Sequence, residues 1–210
     1  ALPVDHGGVL SSVMDISLKD GNLYKNVYRG KIGASEIGIS GNGHIGEKTT
    51  FIYSLRQSYL QFLFKMLGLP FLPNYIDEQF KVKHRITNKN EIFVMGLAGI
   101  DKMKLNTDEK GEEVEYMLGY LPVIRQNTYT TGCSYTHYGN RSRLNVSLGY
   151  SSLDNKMTKY IGNNSTSEDN LLYRIISEEN KLTLRGENRF YLGRFNLLCG
   201  IQGTYNKYKM

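Results

Sequence analysis

The feature that most constrains this chain is a two-residue period that returns again and again. In KLTLRGENRFYL at 181–192, Leu182, Leu184, Gly186, Phe190 and Leu192 fall on one side with Asn188. Lys181, Thr183, Arg185, Glu187 and Arg189 fall on the other. RLNVSLGYSS at 143–152 sets Leu144, Val146, Leu148 and Tyr150 against Arg143, Asn145, Ser147 and Gly149. QFKVKHRI at 79–86 sets Phe80, Val82, His84 and Ile86 against Lys81, Lys83 and Arg85. NLLCGIQGTYNKYK at 196–209 does the same with Leu197, Cys199, Ile201, Gly203 and Tyr205. Successive strand side chains point to opposite faces, so each segment reads as a strand with one apolar face.

The connections carry a second pattern. Short polar turns are expected at 41–48, 87–90, 139–142 and 193–195. Long links are expected at about 60–77, 104–124 and 154–178. Short and long alternate, as in an up-and-down barrel with one trimmed rim and one rim of working loops. Several strands run to ten residues or more, the length a tilted membrane-crossing strand needs. About nine barrel strands are expected: two in a hairpin over 24–41, then 49–59, 78–86, 91–103, 125–138, 143–155, 179–192 and 196–210. A short helix is expected within 58–69, where Tyr59, Phe62, Leu63 and Met66 share a helical face.

Composition agrees with strands and turns. There are 22 Gly, 16 Tyr and 8 Phe, no Trp and only 4 Pro. The mean hydropathy of −0.40 gives no helix-type span, and no run of about 20 apolar residues exists. A net charge of +6 raises nucleic acid as a partner. The basic residues are spread along the chain with no dense block, so no nucleic-acid partner is expected. Cys133 and Cys199 lack CxxC spacing, and none of the four histidines stands at metal-ligand spacing from another. No nucleophile motif and no framed carboxylate pair occurs. No catalytic residue, metal or cofactor is therefore expected.

In a barrel that faces lipid, charge belongs on the inner side. Arg56, Lys81, Lys83, Arg85, Arg185, Glu187 and Arg189 are the candidates for that side. They either solvate the lumen, or pair with groups inside it, or line a substrate path. Tyr129, Tyr135, Tyr150, Tyr191, Tyr205 and Tyr208 are candidates for an aromatic girdle, or for ordinary packing of the pleat. Tyr116 and Tyr120, in the long link at 105–122, are candidates for stacking on a substrate.

The opening stretch GGVLSSVMDISLKDGN at 7–22 resembles the last plug strand of TonB-dependent outer-membrane receptors. Gly7, Gly8, Ser11, Asp15, Lys19, Asp20 and Gly21 carry the likeness, in the variant common in Bacteroidota, with His6 where a Tyr is usual. GKIGASEIGISGNGHIGEKTTFIYSLRQSYL at 30–60 resembles that family's first barrel hairpins, through Ile39, Gly41, Ile45, Lys48, Thr49, Phe51, Arg56 and Tyr59. Gly43-His44 stands where Gly-Pro is common in the family.

The resemblance implies an all-β chain, an antiparallel up-and-down transmembrane β-barrel present in part. Residues 1–22 would close the plug and 23–210 would begin the barrel. It implies a fragment, because receptors of this kind close about 22 strands around a plug. It implies the cell outer membrane and energised uptake of a scarce nutrient, such as an iron chelate, cobalamin, an oligosaccharide or a peptide. The implied partners are outer-membrane lipid and the TonB energy-coupling complex acting through plug segments, with a surface lipoprotein as a further candidate. A passive porin-like barrel and a soluble β-rich binding or adhesion module are the alternatives. The module requires the faces led by Leu144, Leu182 and Leu197 to be buried in a protein core.

Overall fold

The computed structural model describes residues 16–210. Nine strands form one antiparallel sheet in chain order: β1 Val27–Ile32, β2 Glu36–Ile45, β3 Thr49–Ser58, β4 Phe71–Thr87, β5 Asn90–Leu105, β6 Val123–Tyr138, β7 Ser142–Tyr160, β8 Leu171–Leu192 and β9 Phe195–Lys209. Each strand pairs with the next, and β1 and β9 are the two edges. The nine strands expected from the sequence are these nine.

Connections alternate as the turn chemistry requires. On one rim the links are short, at 46–48, 88–89, 139–141 and 193–194. Gly193 has φ +65°, a conformation that suits glycine in a two-residue hairpin, and Leu192 pairs directly with Phe195 across it. The stretch expected as a turn at 41–48 is mostly strand, because Gly41, Asn42, Gly43 and His44 all hold ladder partners on β3.

The other rim has the links 33–35, 59–70, 106–122 and 161–170. The strands run further towards this rim than the sequence pattern marks. β4 starts at Phe71 and includes Pro73, and β8 starts at Leu171. At about 3.3 Å per residue, the 22 residues of β8 span roughly 70 Å, well beyond the 9–11 needed to cross a bilayer.

The loop rim carries two helices. α1, Leu60–Met66, is the short helix expected there, and it ends at Gly68, whose φ is +66°. Phe64 packs edge-on against Phe71 of β4, with ring centroids 5.3 Å apart. α2, Glu112–Tyr120, is not foreshadowed by an apolar period. Its first turn holds Glu112, Glu113 and Glu115, where carboxylates favour the positive end of the helix dipole. At its other end Lys159 of β7, only 4% exposed, donates through Nζ to the carbonyls of Leu118 and Leu121 and to Asn163 Oδ1. Asn106 donates to the Leu69 carbonyl at 3.0 Å and ties the 59–70 and 106–122 links together.

The register sorts every strand residue onto one of two faces, because directly paired residues share a face. One row reads Tyr28, Gly41, Tyr53, Phe80, Gly96, Thr131, Tyr150, Leu182, Tyr205. Another reads Phe51, Val82, Val94, Cys133, Leu148, Leu184, Gly203. This face is apolar and open. Leu184 is 55% exposed and Ile201 80%, while among the described residues Leu118, on α2, is the one large apolar side chain that is buried. The buried residues are mostly polar, among them Thr50, Ser134 and Thr136 on the opposite face. The molecule is thus inside-out relative to a water-soluble sandwich. Leu182 and Leu197 are exposed and Leu144 is half-buried, so the core that a soluble module requires is not formed by these faces.

Candidate functional site

The second face is the polar one. By register, Arg56, Lys81, Lys83, Arg85, Arg185, Glu187 and Arg189 all stand on it. They do not form one cluster. They fall into separate groups along and across the sheet.

Towards the loop rim, Glu36 of β2 gathers three partners. Lys31 Nζ lies 2.6 Å from Oε1, and the Tyr75 hydroxyl donates to Oε2 at 3.1 Å. Arg56 approaches the same carboxylate at 3.9 Å and donates through Nε to Asp77 Oδ1 at 2.8 Å. Arg56 and Asp77 are direct cross-strand partners, so this pair is a product of register alone. Far along the sheet on β8, Arg185 makes a two-nitrogen contact with Glu187, at 3.0 and 2.8 Å. Arg189 stands directly opposite Arg143 of β7.

The richest group lies towards the short-turn rim. Here residues 16–22, which carry no ladder and lie outside the sheet, cross the polar face. Asp20 meets Lys81 Nζ at 2.7 Å and Lys83 Nζ at 2.9 Å. Lys81 also donates to the Leu18 carbonyl at 2.9 Å and sits 5.0 Å from the centre of the Phe93 ring. Lys83 continues to Glu91 at 3.0 Å, and the Tyr138 hydroxyl donates to Glu91 at 2.7 Å. Arg143 lies over the Tyr138 ring at 5.5 Å. Burial pushes the Asp20 carboxyl up, but the hydrogen bonds and charges of Lys81 and Lys83 outweigh it and hold the group below the usual carboxylate range.

Backbone contacts fix the same segment. A Cβ at Gly21 would collide with the carbonyls of Gly43 and Phe51, so only glycine fits. The Asn22 amide donates to Asn42 Oδ1 at 2.7 Å. Arg85 lines the crevice of about 190 Å³ beside Asp20, Gly21 and Glu91. Lys19 is exposed. Gly7, Gly8 and Asp15 lie outside the described residues, as does most of the strand expected over 7–22.

Of the girdle candidates, Tyr129, Tyr135, Tyr150 and Tyr205 stand on the apolar face, whereas Tyr191 and Tyr208 stand on the polar face. Tyr116 and Tyr120 are on α2, with rings 5.0 Å apart and both exposed at the loop rim. Among the described residues no set of three metal-ligating side chains converges.

An open apolar face, an opposite polar face and three long links gathered on one rim define a length of up-and-down β-barrel wall. No family profile matches the sequence, and no curated protein does. Solved structures do. Two variant forms of the ferric enterobactin receptor PfeA from Pseudomonas aeruginosa match with TM-scores of 0.60 and 0.59, at 14% and 15% identity. Each comparison covers 87% of this chain and 30% of the receptor chain, so the present chain spans about a third of those receptors. At that identity the likeness is one of fold.

Proposed function

We propose that this chain is part of a TonB-dependent receptor of the outer membrane, with residues 1–22 the end of the plug and 23–210 the first part of the barrel. The observation that carries the reading is the segment 16–22, held against the polar face by Asp20 between Lys81 and Lys83. A lipid-facing wall has a polar interior, and an N-terminal segment ion-paired to that interior is what a plug leaving the lumen requires. The open apolar face then meets lipid, and the polar face, with Arg56, Lys81, Lys83, Arg85, Arg185, Glu187 and Arg189, lines the lumen. The short-turn rim faces the periplasm and the loop rim faces outwards, with Tyr116 and Tyr120 presented to arriving substrate.

The receptor imports a scarce nutrient, drawn through the lumen by the TonB energy-coupling complex acting on the plug, and carries out no chemistry on it. The candidate substrates are an iron chelate, cobalamin, an oligosaccharide and a peptide; the two solved relatives, variants of one receptor, are named for ferric enterobactin, and they share the fold alone. The Bacteroidota variant rests on the residues at 7–21 alone, since neither structural relative comes from that group. A surface lipoprotein over the loop rim completes the set of proposed partners.

The test uses the full-length receptor, expressed in a strain lacking its own copy. The protein should fractionate with the outer membrane and need detergent for extraction. Uptake of the nutrient it supports should stop when the energy-coupling complex is deleted. Uptake that persists without that complex identifies a passive pore instead, and a protein soluble without detergent removes the membrane reading altogether.

A further inference from the structure

The apolar face changes character towards the loop rim. Lys102 of β5, Arg125 of β6 and Lys156 of β7 are direct cross-strand partners, side by side on that face. Lys104 stands two residues beyond Lys102 on the same side. All four cations are exposed, and among the described residues none has an ion-pair partner. Like charges directly opposite one another destabilise a sheet, so a row of three needs a counter-charge. Lys104, Arg125 and Lys156 line a cleft of about 520 Å³, together with Thr158 and Arg174. Arg174 is already held by Glu168 at 2.8 Å and by the Tyr160 hydroxyl at 3.1 Å. Asp154, two residues from Lys156 on the same face, is the nearest carboxylate along that strand.

The position of the row decides what fills it. Tyr129 is on the same face of the same strand as Arg125, four residues nearer the apolar band. Four residues at about 3.3 Å span roughly 13 Å, or about 10 Å of height for a strand tilted by about 40°. The cations therefore stand just above an aromatic residue at the edge of the band, at the level of lipid headgroups. They point away from the lumen, so they are not part of the substrate path.

We infer that the Lys102–Arg125–Lys156 row and its cleft form a binding site for the phosphorylated headgroup of an outer-leaflet lipid. The inference rests on the membrane reading above. Phosphate supplies several strong acceptors, Arg125 offers a planar fork to them, and the flanking lysines add point charge. The lipid's chains then lie down the apolar band beneath.

The test uses the full-length receptor in detergent micelles carrying diphosphoryl lipid A, with bound lipid read by native mass spectrometry. A triple variant, Lys102→Gln with Arg125→Gln and Lys156→Gln, should retain lipid A about tenfold more weakly. A charge-keeping variant, Lys102→Arg with Lys156→Arg, should retain it as the natural protein does. Dephosphorylated lipid A should bind the natural protein no better than the triple variant binds lipid A. Circular dichroism checks that each variant keeps its strands. Equal retention by the triple variant, or equal binding of the dephosphorylated lipid, overturns the site. Displacement of the lipid by millimolar inorganic phosphate makes free phosphate the ligand and overturns the lipid assignment. A protein that stays monomeric in water overturns the membrane reading and the site together. A detergent-dependent barrel with an indifferent triple variant overturns the site alone.

Discussion

Asp20 is one carboxylate held by two lysines from a strand some sixty residues further along the chain. Asp20→Asn removes the charge on which both Lys81 and Lys83 converge. Hydrogen exchange of residues 16–22 should then speed up while the strands stay protected. Acid should act in the same direction. A carboxyl held below its ordinary value contributes stability that is complete above that value, about 3.9 for a free Asp, and is lost as pH falls through the lowered one. Proteolytic access to residues 16–22 should accordingly rise below about pH 4 and be unchanged between pH 6 and 8. Gly21→Ala should loosen the same segment at neutral pH, by steric displacement and not by charge. The sequence shows that Lys81, Lys83 and Arg85 share a face, because parity alone decides it. It does not show that Asp20 lands between two of them. That depends on where a segment without strand period crosses the sheet, and no local pattern encodes a crossing point.

At the scale of elements, the strands were legible and their outer ends were not. Alternation marks the parts with one apolar face, and it fades where a strand leaves the apolar band and is polar on both sides. The loop-rim end of β7 is of that kind, with Asp154, Asn155 and Lys156, whereas β4 and β8 begin with apolar residues on both faces, Phe71 and Leu72 in one and Ile175 and Ile176 in the other, which hides the period as well. The α2 helix was missed because its signal is an acidic first turn and not an apolar stripe. Its clamp is Lys159, whose three oxygen partners come from two different links. Lys159→Met should take its donor from the Leu121 carbonyl and leave the Leu118 carbonyl with Asn163 alone, at about 1–3 kcal/mol for the loop assembly. Exchange of amides 112–120 should rise, with the strand amides of β6 and β7 unaffected.

At the scale of the whole molecule, the two faces make opposite demands. Leu184 lies in the middle of the open apolar face, and Arg185 beside it points the other way. Leu184→Arg in the full-length protein should cost about 2–4 kcal/mol of stability when folded into lipid vesicles, the range for a cation at mid-membrane. Thr183→Arg, one residue away on the polar face, should cost far less. Equal penalties at the two positions would mean that the open face does not meet lipid. The alternation of Leu144, Val146 and Leu148, or of Leu182 and Leu184, shows which residues share a face, but not whether that face meets lipid or a second protein layer, since both leave the same two-residue period.

Because every strand touches only its neighbours in the chain, the hairpin is a unit that can be gained or lost. Take out β6 and β7 together, and β5 and β8 still run in opposite directions, with their leucines and their charges on the original sides. Take out β6 alone, and β5 and β7 would run parallel, so that the links at 106–122 and 139–141, which now join antiparallel neighbours, would have to make a crossover. Walls of this design can therefore change circumference in steps of two strands without any other residue being rewritten, which makes lumen width an inheritable quantity separate from the chemistry of the lining.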